Sequence, residues 1–90
     1  MEYSYPIRTD WSTEEMIDVT TFFTLIEEAY EAGVSSEKVK QAYQQFKVIV
    51  PSKSEEKTLF REFEQSSTYK SYPIVKEALA ATEDTKIIRK

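Results

Sequence analysis

An all-α fold is predicted by three features of the sequence: a small irregular bundle of about four helices behind an extended N-terminal arm. Apolar residues recur at steps of three and four in successive segments. Serine followed three residues later by glutamate stands ahead of two of these segments, the signature of a capping box. The one glycine, Gly33, and the three prolines, Pro6, Pro51 and Pro73, all fall between or at the ends of the periodic stretches.

The arm comes first. Tyr3, Tyr5 and Ile7 alternate and Pro6 forbids a helix interior, so residues 1–11 are expected to lie extended across the bundle. Trp11 precedes the Ser12 cap, the place of a hydrophobic staple whose usual partner is Met16. Helix one then runs from Thr13 to about Ala32, and Gly33 suits a left-handed terminating residue. Its apolar positions 16, 19, 23, 26 and 30, widened by Phe22, Leu25 and Ala29, cover about half the circumference, which makes it the central helix. Thr20, Thr21, Thr24, Glu27, Glu28 and Glu31 make up the opposite, wet face.

Helix two starts at Ser35 or Ser36 and buries Val39, Ala42, Tyr43, Phe46, Ile49 and Val50, ending where Pro51 pushes Val50 out of helical space. Ser52 and Glu55 offer a capping box for helix three, which buries Leu59, Phe60 and Phe63 before a break at Ser66–Thr68. Ser71 is expected to cap helix four, with Pro73 in its first turn and Val75, Ala78 and Leu79 facing inward. Beyond Ala81 little apolar content remains except Ile87 and Ile88, so residues 82–90 are expected to fray. The 90 residues form one domain, 1–90.

Composition narrows the chemistry. With 40% hydrophobic residues and twelve aromatics, the chain can build a thin but viable core. It has no cysteine, which excludes disulfides and thiol chemistry and favours a cytoplasmic home for so small a domain. The first residues carry no signal-peptide pattern, and no apolar run approaches the ~20 residues of a membrane span. Histidine is absent too, which removes the commonest general base and metal ligand. One glycine cannot make a phosphate loop or a dinucleotide fingerprint. No cofactor and no metal site are therefore expected. Two acidic groups, Glu14 with Glu15 and Asp18, and Glu27 with Glu28 and Glu31, read as helix-dipole and solvent-face residues. Ser54-x-x-Lys57 has a Ser–Lys spacing but lies in the first turn of a capped helix, where both residue types are expected.

Charge is uneven within the net −4: residues 1–45 hold nine acids and three bases, residues 46–90 nine bases and seven acids. Lys53, Lys57 and Arg61 stand at i, i+4 and i+8, one basic line along helix three. Pro51 between helices two and three invites a helix-turn-helix reading, but Glu55, Glu56, Glu62 and Glu64 share helix three, so nucleic acid is disfavoured as partner.

Several stretches carry a resemblance: Tyr5-Pro6, Asp10-Trp11-Ser12-Thr13-Glu14-Glu15-Met16, Val50-Pro51-Ser52-Lys53, Glu56-Lys57, Glu62-Phe63-Glu64 and Tyr69-x-Ser71-Tyr72. They resemble a family of short Firmicute proteins, number 0223 in the series of protein families of unknown function. The resemblance runs from Tyr3 to about Leu79 and is most specific at the Trp11 and Pro51 blocks. It implies a helical bundle in the bacterial cytoplasm and supplies no activity or catalytic residue.

The reading is a non-enzymatic protein-interaction module, a small regulator or adaptor, with a protein partner, no membrane, and self-association left open. Its candidate contact surface is Lys53, Lys57 and Arg61 flanked by Tyr69 and Tyr72. The alternatives are a nucleic-acid accessory factor using helix three and an enzyme working with carboxylates alone.

Overall fold

Three of the four helices open on a serine hydroxyl, and those hydroxyls set where the bundle's elements begin. The computed structural model describes residues 5–83 and 86–90. Tyr3 of the predicted arm lies outside them. Helix α1 spans Thr13–Glu31, α2 Ser36–Ile49, α3 Lys53–Ser67 and α4 Ser71–Ala80. Ser12 caps α1 in a complete capping box: the Glu15 amide donates to Ser12 Oγ at 3.1 Å and the Ser12 amide donates to Glu15 Oε1 at 2.8 Å. Ser35 caps α2 through the Lys38 amide, and Ser52 caps α3 through the Glu55 amide at 3.3 Å without the return bond predicted from Glu55. Gly33 ends α1 at φ +107°, and its amide and that of Ala32 both donate to the Glu28 carbonyl. Val50, ahead of Pro51, closes α2.

Helix α1 is central. Its Val19, Phe22, Phe23, Ile26 and Ala29 are buried and meet Val39 and Phe46 from α2, Leu59 and Phe63 from α3, and Ile74, Val75 and Ala78 from α4. Aromatic rings fill the middle: Phe23 lies 4.5 Å from Phe63 and Phe22 4.8 Å from Phe46, both stacked. Trp11 is buried as part of this core, and Met16, partly buried, packs against the core.

Of the arm predicted over residues 1–11, residues 5–8 are non-helical and residues 1–4 lie outside the described ones. The chain turns at Thr9–Asp10, where the Trp11 amide donates to the Arg8 carbonyl at 3.3 Å. The Tyr5 ring stacks 6.0 Å from Phe63 and 6.5 Å from Phe23, and its hydroxyl meets Thr24 and donates to Glu27. Arg8 donates two bonds to the Glu62 carboxylate, at 3.1 and 2.9 Å. Desolvation raises the Glu27 carboxyl above its ordinary value, against the Tyr5 hydrogen bond, which lowers it. The arm thus covers Thr24 and Glu27, part of the helix face expected to be wet.

Three expectations are corrected. First, α3 continues through Ser66 and Ser67 and ends on Thr68, which is left-handed at φ 67°. Ser67 Oγ stabilises that turn by donating to the Phe63 carbonyl and accepting from the Tyr69 amide. Second, Ser71 does not cap α4: Lys70 holds the cap position, and the buried stripe is Ser71, Ile74, Val75 and Ala78. Leu79 falls beside that stripe and is 55% exposed rather than inward. Third, residues 86–90 are not frayed. Ile87–Ile88 (β2) pair antiparallel with Val34–Ser35 (β1), with Val34 opposite Ile88. Ile88 is fully buried, the Lys90 amide donates to the Ala29 carbonyl, and Lys86 and Lys90 pair with Glu77. A single inward isoleucine is enough to anchor a mostly polar segment once a short strand exists for it to join.

Candidate functional site

Because α4 turns back from α3 over only Thr68–Lys70, the two helices leave a groove between them, about 1040 Å³ in volume. The basic line of α3 forms one wall: Lys53, Lys57 and Arg61 all border it, as the i, i+4, i+8 spacing requires. Helix α4 contributes Tyr72, Val75, Lys76 and Leu79, and Lys70 stands at the turn. Phe60, Tyr43 and Lys47 belong to the floor, where the Phe60 ring stacks 5.7 Å from Phe46 and 5.8 Å from Phe22. The floor is thus continuous with the core and cannot shift without disturbing it.

Two large side chains along the groove are left open to solvent, Tyr72 at 61% and Leu79 at 55%. Lys53, Lys57, Arg61, Lys70 and Lys76 surround this apolar strip, and none of the five has an ion-pair partner among the described residues. Two carboxylates also line the groove, Glu56 and Glu64. Glu56 is buried and engaged: Lys47 Nζ donates to it at 2.6 Å and the Tyr43 hydroxyl lies 3.2 Å from each of its oxygens. Burial first, then the charge and hydrogen bond of Glu56, push the Tyr43 phenol up to about 12. The neutral Tyr43 phenol is a donor to Glu56.

The predicted surface is therefore assembled for four of its five residues. Lys53, Lys57, Arg61 and Tyr72 share the groove; Tyr69 does not. Its ring lies flat on Tyr30 and its hydroxyl donates to Glu31 at 2.8 Å, on the far side of the turn. Lys70, Lys76, Leu79 and the Lys47–Glu56–Tyr43 cluster were missed. Lys70 and Lys76 carry no spacing signal with α3, and the cluster depends on how α2 crosses α3. Tyr43 with Lys47, at i and i+4, was the trace of it in the sequence.

A second, smaller depression between α1 and α2 is bordered by Asp18, Thr21, Lys38 and Gln41 and gathers no concentration of charge. Among the described residues no group of three or more carboxylates converges as a metal would require. Among them, too, no helix is long and apolar enough to cross a membrane.

Comparison with known proteins agrees with the resemblance seen at the Trp11 and Pro51 blocks. The sequence pattern of the "Uncharacterised protein family (UPF0223)" matches residues 2–87. A UPF0223 protein of Lysinibacillus sphaericus is 56% identical over 85 residues, covering 94% of this chain and 90% of that protein. UPF0223 protein YktA of Bacillus subtilis is 54% identical over 78 residues, covering 87% and 89%. A relative in Staphylococcus aureus is 48% identical over 90 residues, covering 100% and 99%. With a match over nearly its whole length, this chain belongs to the uncharacterised protein family UPF0223.

Proposed function

We propose that this chain is a non-enzymatic protein-interaction module of the cytoplasm that docks an acidic, partly apolar segment of a partner protein in the α3–α4 groove. One observation carries the reading: five cations without ion-pair partners among the described residues border a strip on which Tyr72 and Leu79 stand open. Aromatic and arginine side chains dominate interface energetics, and a patch of one sign steers a partner of the other. The non-enzymatic part rests on the missing histidine and cysteine and on Glu56 being committed to Lys47 and Tyr43. The cytoplasmic part rests on the cysteine-free composition of a small domain.

Calorimetry tests it with a synthetic amphipathic peptide bearing aspartates and two leucines, in parallel with single- and double-stranded oligonucleotides. The peptide is expected to bind with a salt-dependent affinity. A triple variant, Lys53→Glu, Lys57→Glu and Arg61→Glu, is expected to keep its thermal midpoint and lose affinity roughly tenfold or more. Peptide affinity unchanged in that variant would reduce the groove to solvated surface. Tighter, steeply salt-dependent binding of the oligonucleotides would put nucleic acid in the partner's place.

A further inference from the structure

Resting on that reading, we infer that the N-terminal end of α4 is an oxyanion subsite of the groove, which takes a carboxylate of the docked segment as a helix cap supplied by the partner.

The first turn of any helix leaves amide N–H groups without intrahelical acceptors, and it carries the positive end of the helix dipole. In α1, α2 and α3 a serine hydroxyl accepts from one of these amides. At α4 the cap residue is Lys70, whose side chain only donates, and no side-chain cap bond is formed. The third helical position is Pro73, which has no N–H, so the free donors are the amides of Ser71 and Tyr72. Neither has an acceptor among the described residues.

A second observation points to a ligand. Ser71 lines the groove, is 1% exposed, and its hydroxyl is without a hydrogen-bond partner. Buried hydroxyls are almost always satisfied, so an orphan beside two free amides marks an unfilled acceptor position. Serine turns among three staggered rotamers, so an oxygen bound at this helix end supplies the acceptor that its hydroxyl lacks. Lys57, Arg61 and Lys70 line the same groove as Ser71. Glu64 lines the groove as well, and these three cations outnumber it.

Donor number and charge both suit a carboxylate. Two amides and a hydroxyl match its two oxygens, much as an aspartate at a cap position accepts from the first turn of its own helix. The partner's residue thus does in trans what Lys70 cannot do in cis. This also sets a register for the docked segment, because an acidic residue is fixed at the turn while apolar ones lie along Tyr72, Val75 and Leu79.

The test uses the isotope-labelled full chain, its amide spectrum followed during titration with sodium acetate at constant ionic strength. The Ser71 and Tyr72 amides are expected to move downfield together and saturate, several times farther than the first-turn amides of α1, α2 and α3. Equal movement at all four helix starts overturns the subsite. Lys70→Asn places a neutral acceptor at the cap position and is expected to abolish the acetate response. Lys70→Ala, which removes the same charge without supplying an acceptor, is expected to keep it, and equal loss in both variants counts against the proposal. With the acidic peptide, Ser71→Ala is expected to lose affinity several-fold while its thermal midpoint stays level or rises, since the orphan hydroxyl is gone. Peptide binding that needs Lys57 and Arg61 but ignores Ser71→Ala and Lys70→Asn removes the subsite and leaves the groove. A localised acetate response without peptide binding leaves the subsite and removes the docking function.

Discussion

Tyr30 and Tyr69 lie face to face, their ring centroids 4.6 Å apart and their planes 2° from parallel. Each hydroxyl is anchored across the turn, Tyr30 to the Lys70 carbonyl and Tyr69 to Glu31. The pair clamps the end of α1 to the α3–α4 connection, so Tyr69 holds the fold while Tyr72, three residues on, faces the groove. Tyr69→Ala is therefore expected to cost roughly 1–3 kcal/mol, from the lost stack and its hydrogen bond. Tyr72→Ala should stay within about 0.5 kcal/mol of the parent and act on peptide affinity instead. Denaturant unfolding of the two variants side by side checks the contrast.

Trp11 is 8% exposed, so its emission is expected to be blue-shifted and to move red on unfolding. Trp11→Ala is expected to destabilise the chain by about 3–5 kcal/mol, as for other large core truncations. A native emission like that of tryptophan in water would contradict the burial.

The caps differ in strength in a way that mutation can read. Ser12 makes both bonds of its capping box and Ser52 only one. Ser12→Ala is expected to cost about 1–2 kcal/mol and Ser52→Ala about half that, judged from thermal midpoints.

Lys47 and Glu56 form a partly buried pair on the groove floor. Lys47→Ala leaves the carboxylate with the Tyr43 hydroxyl alone and is expected to cost about 2 kcal/mol, between an exposed pair and a fully buried one. Tyr43 also gives a pH signature. Its phenol is raised to about 12, above its ordinary 10.0, so the folded state holds this proton more tightly than the unfolded one. Its contribution to stability is complete below pH 10 and is lost as pH climbs from about 10 to about 12. Phenolate absorbance against pH should show one late-titrating tyrosine, and Glu56→Gln should move it back toward the ordinary value.

Helices α1, α2 and α3 were legible because they carried their own punctuation: Ser12 with Glu15, Gly33, Val50 before Pro51, and Ser52. Lys53, Lys57 and Arg61 were legible as a surface because their spacing alone puts them on one side of α3. What failed depended on meetings between distant segments. Ile88 looked idle because nothing local says that Val34, beside Gly33, offers it a strand edge. Ser71 looked like a cap because serine usually is one, and only the position of the turn at Thr68 shifted that role onto Lys70. Leu79 looked inward because it follows Val75 by one helical turn, yet Ile74 claims the buried side. Two of these misreadings, Ser71 and Leu79, lie on the groove, where local rules give way to what the surface is for.

The two-residue ribbon that joins Val34 to Ile88 ties the α1–α2 connection to the segment that follows α4. Helices α1 and α2, joined by a short connection, can gather early from local contacts. The ribbon has to wait, because closing so long a loop is entropically unfavourable until α1 and α2 already present Ala29 and Val34 to receive it. Its contacts should be absent from the folding transition state. Ile88→Ala should then leave the refolding rate nearly unchanged and put its whole effect into faster unfolding, making this strand the part of the molecule that sets how long a folded copy lasts.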